Sequence, residues 1–360
     1  MTTMRQLSDI AGYWFDGAVR TLEAFGNGFG SPQTDPVPIT PFEVVYEGGK
    51  VRLRHYAPAA RLHKTPILFV YALIKRPYIL DLQPDKSVVR NLLKQGFEIY
   101  LIDWLPPTKA DVELGFDGYV NEEMANAIRA VQIRENVEQV HLVGYCFGAL
   151  LALLYTAFHQ ENVKNLVTVT IPFDLSVREL PISNLVDSMS EVTVDLITKV
   201  YGNCPAWMMN ANFLSMAPVH HALDKFVGLY RNAERDGYAA MFDKFERWMM
   251  SDVPLAGRTF RELVLELSKR NALVKGAFKL GGKTVDLKRV TCPLLNVVAE
   301  KDDVVHPDSS IGLPQFVGSA DRRNLTFPVG HLGAVVSAGA MTKLWPEVGG
   351  WLAARDTNDN

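Results

Sequence analysis

Cysteine is scarce in this chain: Cys146, Cys204 and Cys292 are the only three among 360 residues. Odd in number and far apart, they exclude a disulfide framework and lack the spacing of a zinc site, and no metal site is expected. A reducing cytoplasm is the compartment that suits such a set, and a catalytic thiol survives there. Excess charge is missing too: 37 Lys and Arg face 40 Asp and Glu, for a net charge of -3. That balance offers no argument for nucleic acid or an anionic membrane. No run of about 18 apolar residues suggests a spanning helix. Met1 to Asp9 is polar and no compact apolar stretch with a cleavage site follows, so no signal peptide is expected. Internal repeats and long low-complexity tracts are absent as well. What remains is an ordinary globular balance, 48% hydrophobic and 21% charged, able to bury a full core. The length fits one large α/β domain with an inserted subdomain as well as it fits two domains.

The strongest signal that is present lies at Val140 to Leu151. Val140-His141-Leu142-Val143 reads as a buried strand, Gly144-Tyr145-Cys146-Phe147-Gly148 as a sharp turn, and Ala149-Leu150-Leu151 as the start of an apolar helix. This is the layout of a nucleophile elbow, with cysteine where Gly-x-Ser-x-Gly has serine. The two glycines leave room for the turn and for close backbone packing. Such a turn sets the sulfur at the start of a helix, where exposed N–H groups and the helix dipole favour a thiolate.

Around the elbow the pattern alternates. Phe42–Tyr46 and Val51–Tyr56 flank Glu47-Gly48-Gly49-Lys50, a hairpin signal. Buried strands are expected at 66–71, 97–103, 140–143 and 163–169, with helices near 87–94, 121–135 and 147–159 between them. Strands resume at 292–299 and 325–327, and a closing helix at 334–353 follows. Alternation of this kind predicts a mostly parallel sheet covered on both faces. Four regions are expected: an N-terminal amphipathic helix and linker over 1–40, a core over 41–179 and 286–353, a helical insertion over 180–285 acting as a cap, and a polar tail over 354–360. Leu7, Ile10, Trp14, Phe15, Leu22 and Phe25 mark the N-terminal helix. It packs on its own domain in the plainer reading, and docks on a partner or an apolar surface in the sharper one.

Two further residues follow strands on the same side of the sheet. Asp302 comes just after the 292–299 strand, and His331 follows the 325–327 strand in Gly330-His331-Leu332-Gly333. Strand C-termini share one edge of a parallel sheet, so Cys146, Asp302 and His331 can converge there. Their order, nucleophile then acid then histidine, is that of the α/β-hydrolase fold. His331 would take the thiol proton and Asp302 would support the imidazole. Cys at a strand end, Asp after a strand and a Gly-His-x-Gly loop are each commonplace, and it is their joint order that points to catalysis. Oxyanion donors are expected at the N–H of Phe147 and, from the loop after the 66–71 strand, of Ile74. His141 is expected to be packed or hydrogen-bonded, His306 lacks a matching loop, and His220 and His221 fall in the insertion. Cys292 is expected to be structural.

At these residues the chain resembles the polyhydroxyalkanoate synthases. The resemblance is carried by Gly144–Gly148, by Ile74-Lys75-Arg76-Pro77-Tyr78-Ile79-Leu80-Asp81-Leu82, by Tyr100-Leu101-Ile102-Asp103-Trp104, by Asn165–Thr168, by Asn271-Ala272-Leu273 and by the 302–307 and 330–333 loops. It runs from about residue 40 to 353. It implies an α/β-hydrolase fold with a helical cap, and polymerisation of (R)-3-hydroxyacyl-CoA, 3-hydroxybutyryl favoured, through an acyl-cysteine. CoA enters as part of the substrate and leaves as product, so no separate cofactor is implied. Without the extra N-terminal domain of the long synthases, the chain looks like the short catalytic subunit of a two-component enzyme. That implies an accessory subunit, a homodimer, and a cytoplasmic place at the polyester granule surface. Phe147 and Ala149 depart from the residues expected of the family and bear on pocket shape near the thiol, and His306 replaces an expected proline and bears on the turn of the acid loop. The rival readings are a cysteine-dependent hydrolase of the dienelactone type and a non-catalytic granule subunit. The large insertion speaks against the first, and the intact triad against the second.

Overall fold

A computed structural model describes residues 39–179, 186–216 and 238–356. The helix expected at 5–25, His220, His221 and the last four residues lie outside the described residues. Eight strands build the sheet: β1 (Glu43–Gly48), β2 (Val51–Tyr56), β3 (Ile67–Val70), β4 (Ile99–Trp104), β5 (Val140–Tyr145), β6 (Val163–Val169), β7 (Leu294–Ala299) and β8 (Arg322–Phe327). Their spatial order is β1-β2-β4-β3-β5-β6-β7-β8. β2 runs antiparallel to both β1 and β4, and every other neighbouring pair is parallel. This is the α/β-hydrolase fold.

The central strands are continuous apolar runs because helices cover both faces. Every residue of β3, β4, β5 and β7 is buried. The covering helices of the core are α1 (Val88–Lys94), α2 (Ala125–Glu135) and α3 (Phe147–Phe158), with α8 (Trp345–Ala353) closing the chain. Ser87 starts α1 by accepting the Arg90 N–H at 2.9 Å. α3 is hydrophobic all round and almost wholly buried, because it is held between strands β3, β5 and β6 on one side and the segments Tyr119–Met124 and Leu287–Arg289 on the other.

Two expectations are corrected. β8 begins at Arg322, earlier than the apolar Leu325, because an edge strand carries exposed arginines on its outer side. The helix expected to run unbroken over 334–353 is interrupted. Ser337 turns extended after a short helix at Gly333–Val336, and its hydroxyl accepts the Ala340 N–H at 3.0 Å to start the next one.

Between β6 and β7 the described residues form α4 (Glu191–Tyr201), α5 (Ala206–Met216), α6 (Tyr238–Met249) and α7 (Gly257–Arg261), the last continued by a wider-wound turn at Glu262–Lys269. A two-stranded hairpin, Lys279–Leu280 with Lys283–Thr284, ends the insertion. Its turn is Gly281-Gly282, both at positive φ, a two-residue hairpin signal that the sequence expectation passed over.

Candidate active site

The turn after β5 is tight enough to strain the chain. Cys146 sits at φ 54°, ψ −126°, outside the regions an L-residue prefers, a strain of about 1–3 kcal/mol. Both neighbouring glycines are required by contact. A Cβ on Gly144 would lie 2.3 Å from the Ala149 Cα, and one on Gly148 would lie 2.1 Å from the Val70 carbonyl oxygen. The turn is therefore pressed between α3 and the end of β3. The Cys146 N–H donates to the Val169 carbonyl at 2.8 Å, and the Cys146 carbonyl accepts from Ala149 at 2.9 Å. The N–H groups of Phe147 and Gly148 precede that first helical bond, where a helix leaves its donors free. Cys146 is partly exposed, unlike the other two cysteines.

Asp302 and His331 are brought together by an extension of the strand pairing. Beyond β7 and β8, Glu300 N–H donates to the Phe327 carbonyl at 2.9 Å and Lys301 N–H to the Val329 carbonyl at 3.0 Å. The two loops therefore leave the sheet edge side by side. Asp302 Oδ1 accepts the N–H groups of Val304 at 2.9 Å and Val305 at 2.8 Å. Its Oδ2 lies 2.8 Å from His331 Nδ1. Cys146 lies close enough for its charge to act on the His331 ring. Burial works against its protonated form, yet the charges of Asp302 and Cys146 outweigh burial and raise it well above the usual histidine value.

Two tyrosines outside the expected set complete the surroundings. The Tyr145 hydroxyl donates to the His331 carbonyl at 3.1 Å, fixing the base loop to β5. Tyr71 stacks on Tyr145 with centroids 5.8 Å apart. Burial, then the nearby Cys146 charge, keeps its phenol protonated. Tyr145 stands inside the elbow motif, so its position was visible in the sequence while its hydroxyl partner was not. Phe147 points into the core, edge-on to Phe116 at 5.6 Å. That packing absorbs its departure from the family's residue. His306 caps a short helix by accepting from Asp308 N–H at 3.3 Å and pairs with Glu179 at 3.0 Å. His141 is buried in β5 and bonds Asn165 at 3.0 Å. Burial pushes the Cys204 thiol up to about 12 and that of Cys292 up to about 11.

Two groups of metal-binding side chains occur among the described residues: His55, Glu98 and Glu135, and Glu179, His306 and Asp308. Neither includes Cys146, Asp302 or His331, and internal ion pairs occupy both. Glu98 holds His55 at 2.6 Å and Arg61 holds Glu135 at 2.5 Å.

Comparison with known proteins agrees with this geometry. A family model described as the alpha/beta hydrolase fold matches residues 65–337, and one described as the N-terminus of poly-beta-hydroxybutyrate polymerase (PhaC) matches residues 34–92. A poly(3-hydroxyalkanoate) polymerase subunit PhaC of Thiocystis violacea is 36% identical over 88% of this chain and 89% of its own length. The Haloferax mediterranei subunit of that name is 35% identical over 88% of this chain, which spans 64% of the longer relative. Among solved structures, a Paleococcus ferrophilus monoacylglycerol lipase superposes with a TM-score of 0.55 at 12% identity, covering 85% of this chain and 100% of that one. At that identity the likeness speaks to fold alone.

Proposed function

The chain belongs to the poly(3-hydroxyalkanoate) polymerase family, a family of acyl transferases, and we propose that it builds the polyester by carrying each 3-hydroxyacyl group on Cys146. The observation that carries this reading is the Asp302–His331 pair set near Cys146 at a strained elbow. In the first step the Cys146 thiolate attacks the carbonyl carbon of a hydroxyacyl-CoA thioester. The N–H of Phe147 and one from the loop after β3, expected at Ile74, hold the oxyanion. The C–S bond to CoA breaks, and CoA leaves with the proton from His331. Thioester is exchanged for thioester, so the step is close to balanced. The neutral His331 then takes the proton of a 3-hydroxyl, whose oxygen attacks the acyl-cysteine and frees the thiolate. Asp302 orients His331 throughout. CoA enters as part of the substrate and is released as product, and no further cofactor enters the scheme.

The insertion between β6 and β7 acts as a cap that keeps water from the acyl-cysteine and opens for CoA and polymer. No helix among the described residues is long and apolar enough to cross a membrane. A granule surface in the cytoplasm, an accessory subunit and a homodimer are the further associations this reading includes, with 3-hydroxybutyryl as the favoured monomer.

The test gives purified chain (R)-3-hydroxybutyryl-CoA, with and without a candidate accessory subunit. CoA release is expected to track insoluble polymer and to vanish in Cys146→Ala. Release of free 3-hydroxybutyrate with no polymer would assign the chain to the hydrolases instead.

A further inference from the structure

We propose that the buried Lys75–Asp252 ion pair is a positioning couple, fixing the oxyanion loop after β3 to the insertion so that the second oxyanion donor is in place only when the two are joined. The proposal rests on the acyl-transfer reading above. Lys75 follows Ile74 in that loop, and Asp252 lies between α6 and α7. Their side chains meet at 2.6 Å and are 5% and 3% exposed. Lys75 Nζ also donates to the Met249 carbonyl and lies 5.5 Å from the centre of the Trp248 ring.

The backbone is tied at the same place. The Val253 N–H donates to the Ile74 carbonyl at 3.2 Å, and the Trp248 indole donates to the Arg76 carbonyl at 2.9 Å. Residues 74, 75 and 76 are therefore each held by the stretch 248–253. That stretch continues into a two-way pairing of Leu255 with Cys204, at 2.8 and 3.0 Å, which extends the tie to the start of α5. From below, the loop is anchored to the sheet. Trp104 donates to the Tyr71 carbonyl at 2.8 Å, and Arg76 approaches Asp103 at 3.7 Å. Gly148 presses on Val70 and Tyr71, so the elbow and this loop share one contact surface.

An ion pair is a poor device for stability alone at such a depth. Burial pushes the Asp252 carboxyl up to about 6 and lowers Lys75 against their mutual attraction. A well-packed apolar pair is commonly as stable or more so. What the pair supplies is a fixed distance between a loop and an insertion far apart in sequence. A displacement of about 1 Å in a donor costs on the order of 100-fold in rate. A latch formed only when the insertion sits on the loop makes closure and oxyanion binding one event.

Lys75→Met, Asp252→Asn and the paired Lys75→Met/Asp252→Leu test this with two readouts. Hydroxyacyl-CoA turnover needs the oxyanion hole, and alkylation of Cys146 by iodoacetamide does not. Each variant is expected to lose about 10- to 100-fold in kcat with little change in KM, while alkylation stays within about twofold of the original chain. The paired variant is expected to melt at least as high as the original and still turn over slowly, which a merely structural pair would not do. Turnover restored together with stability in the paired variant overturns the proposal, as does alkylation that falls in parallel with kcat. A failure of the acyl-transfer reading shows separately, as absence of CoA release from the unaltered chain.

Discussion

Asp302→Asn is the substitution whose outcome the geometry constrains most tightly. Both carboxylate oxygens are engaged: Oδ1 accepts from the Val304 and Val305 N–H groups, and Oδ2 from His331. An asparagine must keep its carbonyl toward the two backbone donors, since the flipped amide would set N–H against N–H. Its NH2 then faces His331 Nδ1, which has to become an acceptor. The ring proton moves to Nε2, and the nitrogen toward Cys146 loses its capacity to take a proton. Loss of the right tautomer in a Ser-His-Asp site costs about 10⁴-fold in kcat, or about 5.4 kcal/mol, and a loss of that order is expected here. Folding should be spared, because the backbone donors keep their acceptor. Stopped-flow acylation by hydroxyacyl-CoA, followed by elongation from preformed acyl-enzyme, separates the two half-reactions. Both are expected to fall together, since no oxygen of Asp302 is left over for an incoming hydroxyl. Normal acylation with lost elongation would refute this reasoning and give Asp302 a direct part in activating the hydroxyl.

Gly148→Ala brings a Cβ against the Val70 carbonyl, which is backbone and cannot swing aside. A loss of about 1–3 kcal/mol is expected, read as a lowered melting temperature, with turnover lost as the elbow moves away from β3. Iodoacetamide at neutral pH should label Cys146 alone in the folded chain, because burial keeps Cys204 and Cys292 protonated and covered. Peptide mapping that finds either of them labelled before unfolding would contradict the burial. Asp356 is held well below the usual carboxylate range: burial opposes this, but His141, the Thr65 N–H and Lys164 outweigh it. A depressed acid contributes stability above its unfolded value and loses it as pH falls toward the folded one. Asp356→Asn is therefore expected to cost about 2 kcal/mol at pH 7, with the gap closing below about pH 4, measured by denaturant titration across pH.

The shared placement of Cys146, Asp302 and His331 was legible because each follows a strand, and strand ends in a parallel sheet share one edge. Cys146 needed nothing beyond the two glycines and an apolar helix. Asp302 and His331 needed only their order. Where the sequence misled, tertiary context had overruled composition. Arg322 and Arg323 are exposed on β8, so the strand's first half carries no apolar signal. Ser337 breaks a helix whose apolar pattern continues past it. Lys75 and Asp252 look like two solvated charges in sequence, and only the docking of the insertion buries them together. The Tyr145 hydroxyl bond to the His331 carbonyl was invisible for the same reason.

Sulfur at the elbow follows from what His331 does. A serine there would form an ester, which is a more stable and less reactive intermediate than the thioester it replaced. The Cys146 thioester keeps the reactivity of the CoA bond for the second transfer, provided water is excluded. It also demands a base that gives up its proton to CoA and retrieves one from a hydroxyl in each cycle. In the proposed cycle His331, buried and held against Asp302, gives its proton to CoA as Cys146 is acylated and is neutral while the acyl group occupies the sulfur. The proton's position then reports whether Cys146 is loaded. A neutral base is available for the hydroxyl at the one stage where an acyl group is waiting to be attacked, which orders the two half-reactions without any further part.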